Sequence, residues 1–252
     1  MMRSICLLVL LFVSIAGIGQ VKIHAHNDYD NARPLLNALD NKVASIEADV
    51  VLARGSLIVT HSENETRRKK SLSVLYLDPI IALFEKNNGQ ISPDNDYKIA
   101  LMIDIKQKPA EVLQELIKLV EPFRKVFDRS VNPKAVQLII SGDRGPSTEW
   151  KNFPSYIYFD GRPSETYEKE ALDKIALISD NYFNYLKFRN NAGDSVLITA
   201  VIQKAHALQK PFRFWGAPDT ENVWQLLKSC GIDFLNTDKL EECRKYIDGT
   251  KL

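Results

Sequence analysis

Short apolar segments with strand character alternate with helical segments along most of the chain, and this alternation constrains the fold more than any other feature. About eight extended segments occur between residues 21 and 236. Helices between consecutive strands are typical of parallel sheets, because a parallel pair needs a long crossover connection. No glycine-rich phosphate loop of the nucleotide-binding type follows any of these segments. In a chain of 252 residues, the alternation predicts an α/β fold, a (β/α)8 TIM barrel, rather than an open doubly wound sheet.

The apolar spacing also predicts where each element lies. The predicted strands are 21–27, 45–52, 56–61, 98–106, 135–141, 156–159, 212–215 and 234–236. The predicted helices are 33–41, 72–87, 110–127, 195–208, 220–229 and 240–246. The segment 171–180 fits either a helix or a strand.

The first residues have the order of a secretory signal peptide. Arg3 precedes an unbroken apolar run over 5–13, and the small residue Gly19 follows. The run is shorter than the ~20 apolar residues of a membrane-spanning helix, so we expect no stable membrane span. These features predict a signal peptide over 1–19, a single mature domain over 20–252, and a secreted or periplasmic location.

Charge and cysteine content limit the possible partners. The chain has 33 Lys and Arg against 32 Asp and Glu, a formal net charge of +1, which gives no general electrostatic reason to expect nucleic acid. Cys230 and Cys243 are the cysteines that remain after removal of the predicted signal peptide, and the sequence allows them to pair or to stay free. The oligomeric state is left open.

Three of the predicted strands carry ionisable residues two positions apart at one end. Residues two apart share a face of a strand, and the carboxyl ends of barrel strands form the active-site face. Burying such charge costs several kcal/mol unless the group is paired or binds a metal. The three pairs are His24 with His26, Glu47 with Asp49, and Asp104 with Lys106.

Each pair also has a purely structural interpretation. A single acidic pair at a strand end often forms a loop-facing salt bridge or a helix cap. A lone histidine is more often a hydrogen-bonded core residue than a ligand. The convergence of all three pairs on one barrel mouth favours a functional site. Three carboxylates without cysteine suit one hard divalent cation, Mg²⁺ or Ca²⁺, and leave the histidines for proton transfer.

Several of these segments resemble the phospholipase C-like phosphodiesterase superfamily. They are His-Ala-His-Asn-Asp-Tyr at 24–29, Ser-Ile-Glu-Ala-Asp-Val at 45–50, Leu-Ile-Val-Thr-His at 57–61, Met-Ile-Asp-Ile-Lys at 102–106, Phe-Trp at 214–215 and Gly-Ile-Asp-Phe-Leu-Asn-Thr-Asp at 231–238. The superfamily includes glycerophosphodiester phosphodiesterases, sphingomyelinase D enzymes and phosphatidylinositol-specific phospholipase C. The chain is most similar to its His-x-His-Asn-Asp-Tyr branch, which includes the altered-inheritance-of-mitochondria type proteins.

The resemblance implies a ligand set and an acid–base pair. The expected ligands of the cation are Glu47, Asp49 and Asp104. His61 and one of His24 and His26 are expected to be the acid and the base. We favour His26 over His24, because His26 lies nearer the carboxyl end of its strand, where substrate would sit.

Substrate contacts are expected from four further residues. The resemblance implies that Lys106 holds a phosphate oxygen as a compact cation. Arg162 follows the predicted strand 156–159 and Trp215 ends another strand, so both are candidates for contact with substrate, together with Asn27. The residues after the first histidine differ from the Arg-Gly that is usual in glycerophosphodiesterases, so the resemblance implies the chemistry and leaves the choice of substrate open.

Together, the residues and the resemblance predict a metal-dependent phosphoric diester hydrolase with histidine acid–base catalysis. Its partner would be a phosphodiester small molecule or lipid headgroup: a glycerophosphodiester, a lysophospholipid or a phosphoinositide-like substrate. Two alternatives stay open. One is a metal-dependent amidohydrolase, or a hydrolase of the polymerase-and-histidinol-phosphatase type, that binds metal through His24 and His26. The other is a barrel without catalysis that binds a lipid headgroup or a glycan.

Overall fold

Eight parallel strands close into a barrel. The structure, a computed structural model, describes residues 20–67, 69–187 and 192–249. The strands in these ranges are β1 (Lys22–Ala25), β2 (Ser45–Ala53), β3 (Ser56–Val59), β4 (Ala100–Ile105), β5 (Gln137–Gly142), β6 (Ile157–Gly161), β7 (Ile175–Asn181), β8 (Phe212–Trp215) and β9 (Phe234–Thr237). Around the barrel the order is β1-β9-β8-β7-β6-β5-β4-β2, and the parallel pairing of β1 with β2 closes it. β3 pairs antiparallel with β2, outside the closed ring.

Helices and short helical turns connect the strands and pack against the outside of the barrel. The helices are α1 (Leu36–Asp40), α2 (Asp78–Lys86), α3 (Pro109–Val120), α4 (Arg124–Phe127), α5 (Lys169–Asp173), α6 (Ser195–Ala207), α7 (Glu221–Ser229) and α8 (Leu240–Ile247). The shorter turns are 3₁₀ at Asp28–Asp30, Glu63–Glu65, Glu121–Phe123, Ser147–Asn152 and Tyr182–Tyr185, and π-helical at Ser73–Leu77. The predicted (β/α)8 TIM barrel is confirmed.

Two predicted segments divide differently in the structure. The helix predicted over 110–127 is interrupted, because Pro122 lacks the N–H that would continue it and its ring clashes with the preceding turn. α3 therefore ends at Val120, and a 3₁₀ turn separates it from α4. The ambiguous segment 171–180 contains the end of α5 and most of β7.

The hairpin of β2 and β3 returns the chain to the barrel mouth. Arg54 and Gly55 have φ angles of +53° and +74°, which are typical of the two central residues of a type I′ hairpin turn. Val50 pairs with Val59 across the hairpin. Because of this register, His61, which lies two residues beyond β3, returns to the mouth of the barrel beside Asp49 of β2.

The interior of the barrel has an apolar layer and a polar layer above it. Ala100, Met102, Ile139 and Leu177 form the apolar cluster. Because side chains alternate along a strand, the next inward positions lie two residues later, toward the carboxyl ends. These inward positions are polar and buried. They include His24, Glu47, Ser141, Asp160, Ser179 and Arg213.

Several features outside the barrel interior bear on the sequence predictions. The predicted signal peptide, 1–19, lies outside the described residues. None of the helices in the described ranges combines the length and the apolar character that a membrane span requires.

Cys230 and Cys243 are both free and buried, and burial raises the pKa of the Cys243 thiol to about 12. A thiol that stays protonated is a poor nucleophile and a poor metal ligand.

Gly142, at the end of β5, has no room for a side chain. Its φ is +68°, and a Cβ atom there would lie 2.4 Å from Oδ1 of Asp104 and 2.4 Å from the carbonyl oxygen of Ile105. We expect Gly142→Ala to lower the free energy of unfolding by roughly 2–4 kcal/mol, since a left-handed alanine and an overpacked contact both cost stability. Gly55→Ala is the matched control, because Gly55 also has a positive φ but faces open space. Urea unfolding measures both variants, and equal losses would contradict the clash.

Candidate active site

Three carboxylates meet at the carboxyl ends of β2 and β4. Glu47 and Asp49 share the inner face of β2, and Asp104 is the pairing partner of Asp49 on the neighbouring strand. Each residue offers one oxygen atom, and these three atoms lie within 4.8 Å of one another. Glu47 and Asp49 are buried and Asp104 is partly buried. The parallel register of two adjacent strands therefore builds the acidic cluster.

Asp49 has one crowded oxygen and one oxygen without a partner. Its Oδ2 accepts a hydrogen bond from the hydroxyl of Tyr29 at 2.9 Å, and lies 2.7 Å from Nδ1 of His61 and 2.9 Å from Nζ of Lys106. Its Oδ1 is buried and has no hydrogen-bond partner among the described residues. A buried carboxylate oxygen is costly unless a ligand satisfies it. Asp49 is therefore the residue whose surroundings point most directly to a bound cation.

Lys106 is the cation that the chain itself supplies to this cluster. Its Nζ lies 2.9 Å from Oδ2 of Asp49 and 2.9 Å from Oδ1 of Asp104. Burial raises the pKa of Asp104; the charge and hydrogen bond of Lys106 oppose this effect, and the charges of Glu47 and Asp49 add to it. Burial lowers the pKa of Lys106, but the two carboxylates outweigh it and hold that pKa above its ordinary value. The arrangement shows that a positive charge is strongly favoured at this position.

Two histidines each contact a carboxylate through Nδ1. His26 follows β1, and its Nδ1 lies 2.8 Å from Oδ1 of Asp238, whose backbone N–H in turn donates to Asp219. His61 contacts Asp49 in the same way, and its side chain is three-quarters exposed. Nε2 of neither ring has a hydrogen-bond partner in the described part of the chain. Both rings are therefore oriented through one nitrogen and have the other available for a reacting group.

His24 has a different environment from His26. It is completely buried, and its Nε2 lies 2.7 Å from Oε2 of Glu47 and 2.7 Å from Nη1 of Arg213. Burial and the positive charge of Arg213 lower the pKa of His24 to about 4, so the ring is neutral at pH 7. A neutral ring without solvent access is suited to holding Glu47 in place.

The sequence reasoning missed the charged residues in the middle of the later strands. Arg213 lies between Phe212 and Phe214 in β8, and its guanidinium contacts Glu47 at 3.0 Å and Asp160 at 3.4 Å. Asp160 also accepts hydrogen bonds from two buried serines, Ser141 at 2.9 Å and Ser179 at 2.7 Å. The available signal was the same one used for the first strands, namely a charged residue inside a segment that is otherwise apolar.

The remaining predicted contact residues also lie at the carboxyl ends of strands. Asn27 follows β1 with a left-handed φ of +44°, and its Oδ1 lies 3.2 Å from the hydroxyl oxygen of Tyr29. Trp215 ends β8 and is 37% exposed. Arg162 follows β6, and its Nη1 contacts Asp160 at 2.9 Å and the hydroxyl of Ser179 at 3.0 Å.

Comparison with known families identifies the chain's relatives. The AIM6-like phosphodiesterase domain family matches residues 14–142, slightly more than half of the chain. The chain belongs to this family. The matched region contains the acidic cluster, Lys106 and the three histidines described above. The link to the phospholipase C-like phosphodiesterase superfamily, predicted from the motifs, is confirmed.

Curated relatives and solved structures extend over most of the chain. Altered inheritance of mitochondria protein 6 from Eremothecium gossypii is 26% identical over 269 residues, which cover 89% of this chain and 69% of that protein. Its homolog from Arthroderma benhamiae is 24% identical over 276 residues, covering 91% and 85%. A glycerophosphodiester phosphodiesterase from Parabacteroides distasonis has a TM-score of 0.60 at 15% identity, covering 91% of this chain and 98% of that one. One from Agrobacterium tumefaciens has a TM-score of 0.54 at 14% identity, covering 89% and 99%. At these identities the structures establish the shared barrel alone.

The predicted secreted or periplasmic location is wrong by these comparisons. The curated relatives are named for altered inheritance of mitochondria, which points to mitochondrial or intracellular roles rather than to secretion. The physical reason for the error is that a basic residue followed by a short apolar run is not unique to exported proteins. The pattern describes how apolar a segment is and does not by itself assign a compartment.

The contact between His26 and Asp238 gives a prediction about pH. Burial lowers the pKa of His26, but the hydrogen bond and charge of Asp238 and the charge of Glu47 outweigh it and raise the pKa above the ordinary 6.5. We expect Asp238→Asn to lower this pKa, measured by NMR titration of the ring. Because the raised pKa favours the folded state while His26 is protonated, wild type should exceed the variant in stability below about pH 6.5. This advantage should disappear as the pH rises through the pKa of the folded protein.

Asp173→Asn provides the control for this titration. Asp173 is an exposed acid that pairs with Lys169 on the outside of the barrel. The pKa of His26 should not change in this variant. A pKa of His26 that is equal in wild type and Asp238→Asn would contradict the assigned contact.

Proposed function

We propose that this protein hydrolyses a phosphodiester bond with the help of one divalent cation, Mg²⁺ or Ca²⁺. The observation that carries the proposal is the cluster of Glu47, Asp49 and Asp104, in which Oδ1 of Asp49 is buried without a partner. Two histidines that keep Nε2 available flank the same mouth. Membership of a phosphodiesterase domain family and the shared barrel of glycerophosphodiester phosphodiesterases support the same conclusion.

The donor set fits a hard cation. Three carboxylates without sulfur ligands are typical of Mg²⁺ and Ca²⁺ sites. When bound, such a cation supplies positive charge that neutralises the phosphate and stabilises the transition state. Glu47, Asp49 and Asp104 would hold it. Lys106 contacts oxygens of Asp49 and Asp104, and with the cation bound there its ammonium would be available to hold a phosphate oxygen.

His26 and His61 divide the proton transfers. The raised pKa of His26 favours its protonated form, which suits donation of a proton from Nε2 to the leaving oxygen. His61, held at Nδ1 by Asp49, is then the base that removes a proton from the attacking hydroxyl. We assign this chemistry to His26 rather than His24, because His24 is buried against Glu47 and Arg213.

Asn27, Arg162 and Trp215 are the proposed substrate contacts. Trp215 presents part of its ring to solvent at the mouth. The guanidinium of Arg162 uses only Nη1 in its contacts with described residues, so its other N–H donors are available for a phosphate oxygen. The substrate class that fits these groups is a glycerophosphodiester, a lysophospholipid or a phosphoinositide-like headgroup.

The two alternative functions make different predictions for the metal and for turnover. A hydrolase of the amidohydrolase type needs His24 and His26 as ligands and is expected to require zinc. In the described part of the chain neither histidine is a member of the carboxylate cluster: Nε2 of His24 contacts Glu47 and Arg213, and Nδ1 of His26 contacts Asp238. A barrel that only binds headgroups is expected to bind the cation without turning over any phosphodiester.

The proposal is tested by hydrolysis assays on purified protein with Mg²⁺ or Ca²⁺. The substrates are glycerophosphodiesters, lysophospholipids and phosphoinositides. We expect chelator to abolish activity and added Mg²⁺ or Ca²⁺ to restore it. Restoration by zinc alone, or metal binding without turnover on any of these substrates, would replace the proposal with one of the two alternatives.

Substitutions of the proposed acid–base histidines and of a proposed metal ligand should separate catalysis from metal binding. His26→Ala and His61→Ala are each expected to lower kcat by roughly 10²–10⁴-fold, because each removes a proton-transfer group, and to keep metal binding. Asp104→Asn is expected to weaken metal binding, measured by calorimetry. His206→Ala is the matched control: His206 contacts Asp233 at the opposite end of the barrel strands, and its loss should leave activity unchanged. Full activity in His61→Ala would refute the acid–base assignment.

A further inference from the structure

Arg213 occupies the centre of the polar layer, beneath the acidic cluster. Its side chain is 3% exposed. Nη1 donates to Oε2 of Glu47 at 3.0 Å and to Oδ1 of Asn236 at 2.9 Å, and it lies 2.7 Å from Nε2 of His24. Nη2 lies 3.4 Å from Oδ2 of Asp160. One guanidinium on β8 therefore contacts side chains of β1, β2, β6 and β9.

The contacts of Glu47 are all on one side of its carboxylate. Oε2 receives both Arg213 and His24, whereas Oε1 has no hydrogen-bond partner in the described part of the chain. Glu47 is thus held through one oxygen while the other stays free.

The geometry points to Arg213 as a positioning residue that holds Glu47 in the orientation required of a metal ligand. This inference rests on the proposed function, because it assigns Glu47 to the cation. Partners that orient a ligand commonly change metal affinity by about 10–100-fold when they are removed. Arg213 differs from Lys106 in one respect: Lys106 contacts the oxygens that a cation needs, whereas Arg213 contacts Oε2 of Glu47 from the side of the polar layer.

Positioning and simple electrostatics predict opposite results. Arg213 carries a positive charge close to the cluster, so removing it should tighten cation binding if its charge were all that mattered. If Arg213 orients Glu47, its removal should weaken binding in spite of the gain in negative charge. Arg213→Lys separates the two effects further, because it keeps the charge and loses the planar fork that reaches several acceptors at once.

Calorimetric titration with Mg²⁺ and Ca²⁺, in the absence of substrate, is the experiment. We expect Arg213→Lys and Arg213→Gln to bind both cations about 10–100-fold more weakly than wild type. Lys106→Met should bind them more tightly, since it removes the competing ammonium. Arg129→Lys is the matched control: Arg129 is a partly buried arginine that donates to the main chain of Ala135 and Ile99, before β5 and β4 begin. The affinity of Arg129→Lys for Mg²⁺ and Ca²⁺ should equal that of wild type.

Unchanged affinity in Arg213→Lys, or tighter binding in Arg213→Gln, would overturn the inference. A variant that unfolds is recognised by its circular dichroism, and Asn236→Ala then replaces it. Asn236 supports Nη1 of Arg213 without contacting the acids, and its loss is expected to weaken binding by a smaller factor.

Failure of the proposed metal site gives a different result. In that case wild type itself binds neither cation. The inference is then decided by the crystal structure of Arg213→Lys, in which the carboxylate of Glu47 should have turned away from Asp49 and Asp104. A carboxylate of Glu47 that keeps its wild-type position in this crystal structure would also overturn the inference.

Discussion

Charge inside the barrel has to be paired with opposite charge, and this requirement organises the whole active-site end of the protein. Asp49 and Asp104 face Lys106, while Glu47 and Asp160 face Arg213. In a buried environment an unpaired carboxylate would be neutralised or would destabilise the fold. The two basic residues differ in kind. Lys106 is a flexible point charge at the mouth of the barrel, and Arg213 has a planar guanidinium that joins several strands below the mouth.

The closed barrel explains why polar residues can gather at this end. A closed ring has no edges, so the inward side chains of all eight strands meet in one interior. The apolar cluster around Met102 fills the lower interior, and a polar side chain follows one inward position later on β4, β5 and β7. The β2–β3 hairpin adds His61, a residue that the ring itself would not supply.

Family membership and geometry contribute different parts of the functional argument. The AIM6-like phosphodiesterase domain family gives the general class, and the glycerophosphodiester phosphodiesterases share the barrel at 14–15% identity. Neither assigns a role to an individual side chain. The distances around Asp49 and the separate surroundings of His24 and His26 supply the basis for such proposals, since they distinguish a histidine buried against Glu47 from one that reaches the mouth.

The amino-acid sequence by itself determined the alternation of strands and helices, and with it the barrel, because the apolar period of each segment is a local property. It also singled out Glu47, Asp49 and Asp104, since charge two positions apart at the end of a buried strand is visible without coordinates. Only the tertiary structure decided which charges pair. The partnership of Arg213 with Glu47 and that of Asp238 with His26 join opposite ends of the chain, and they exist because barrel closure makes the first strands neighbours of the last. Local patterns carry no record of such long-range contacts.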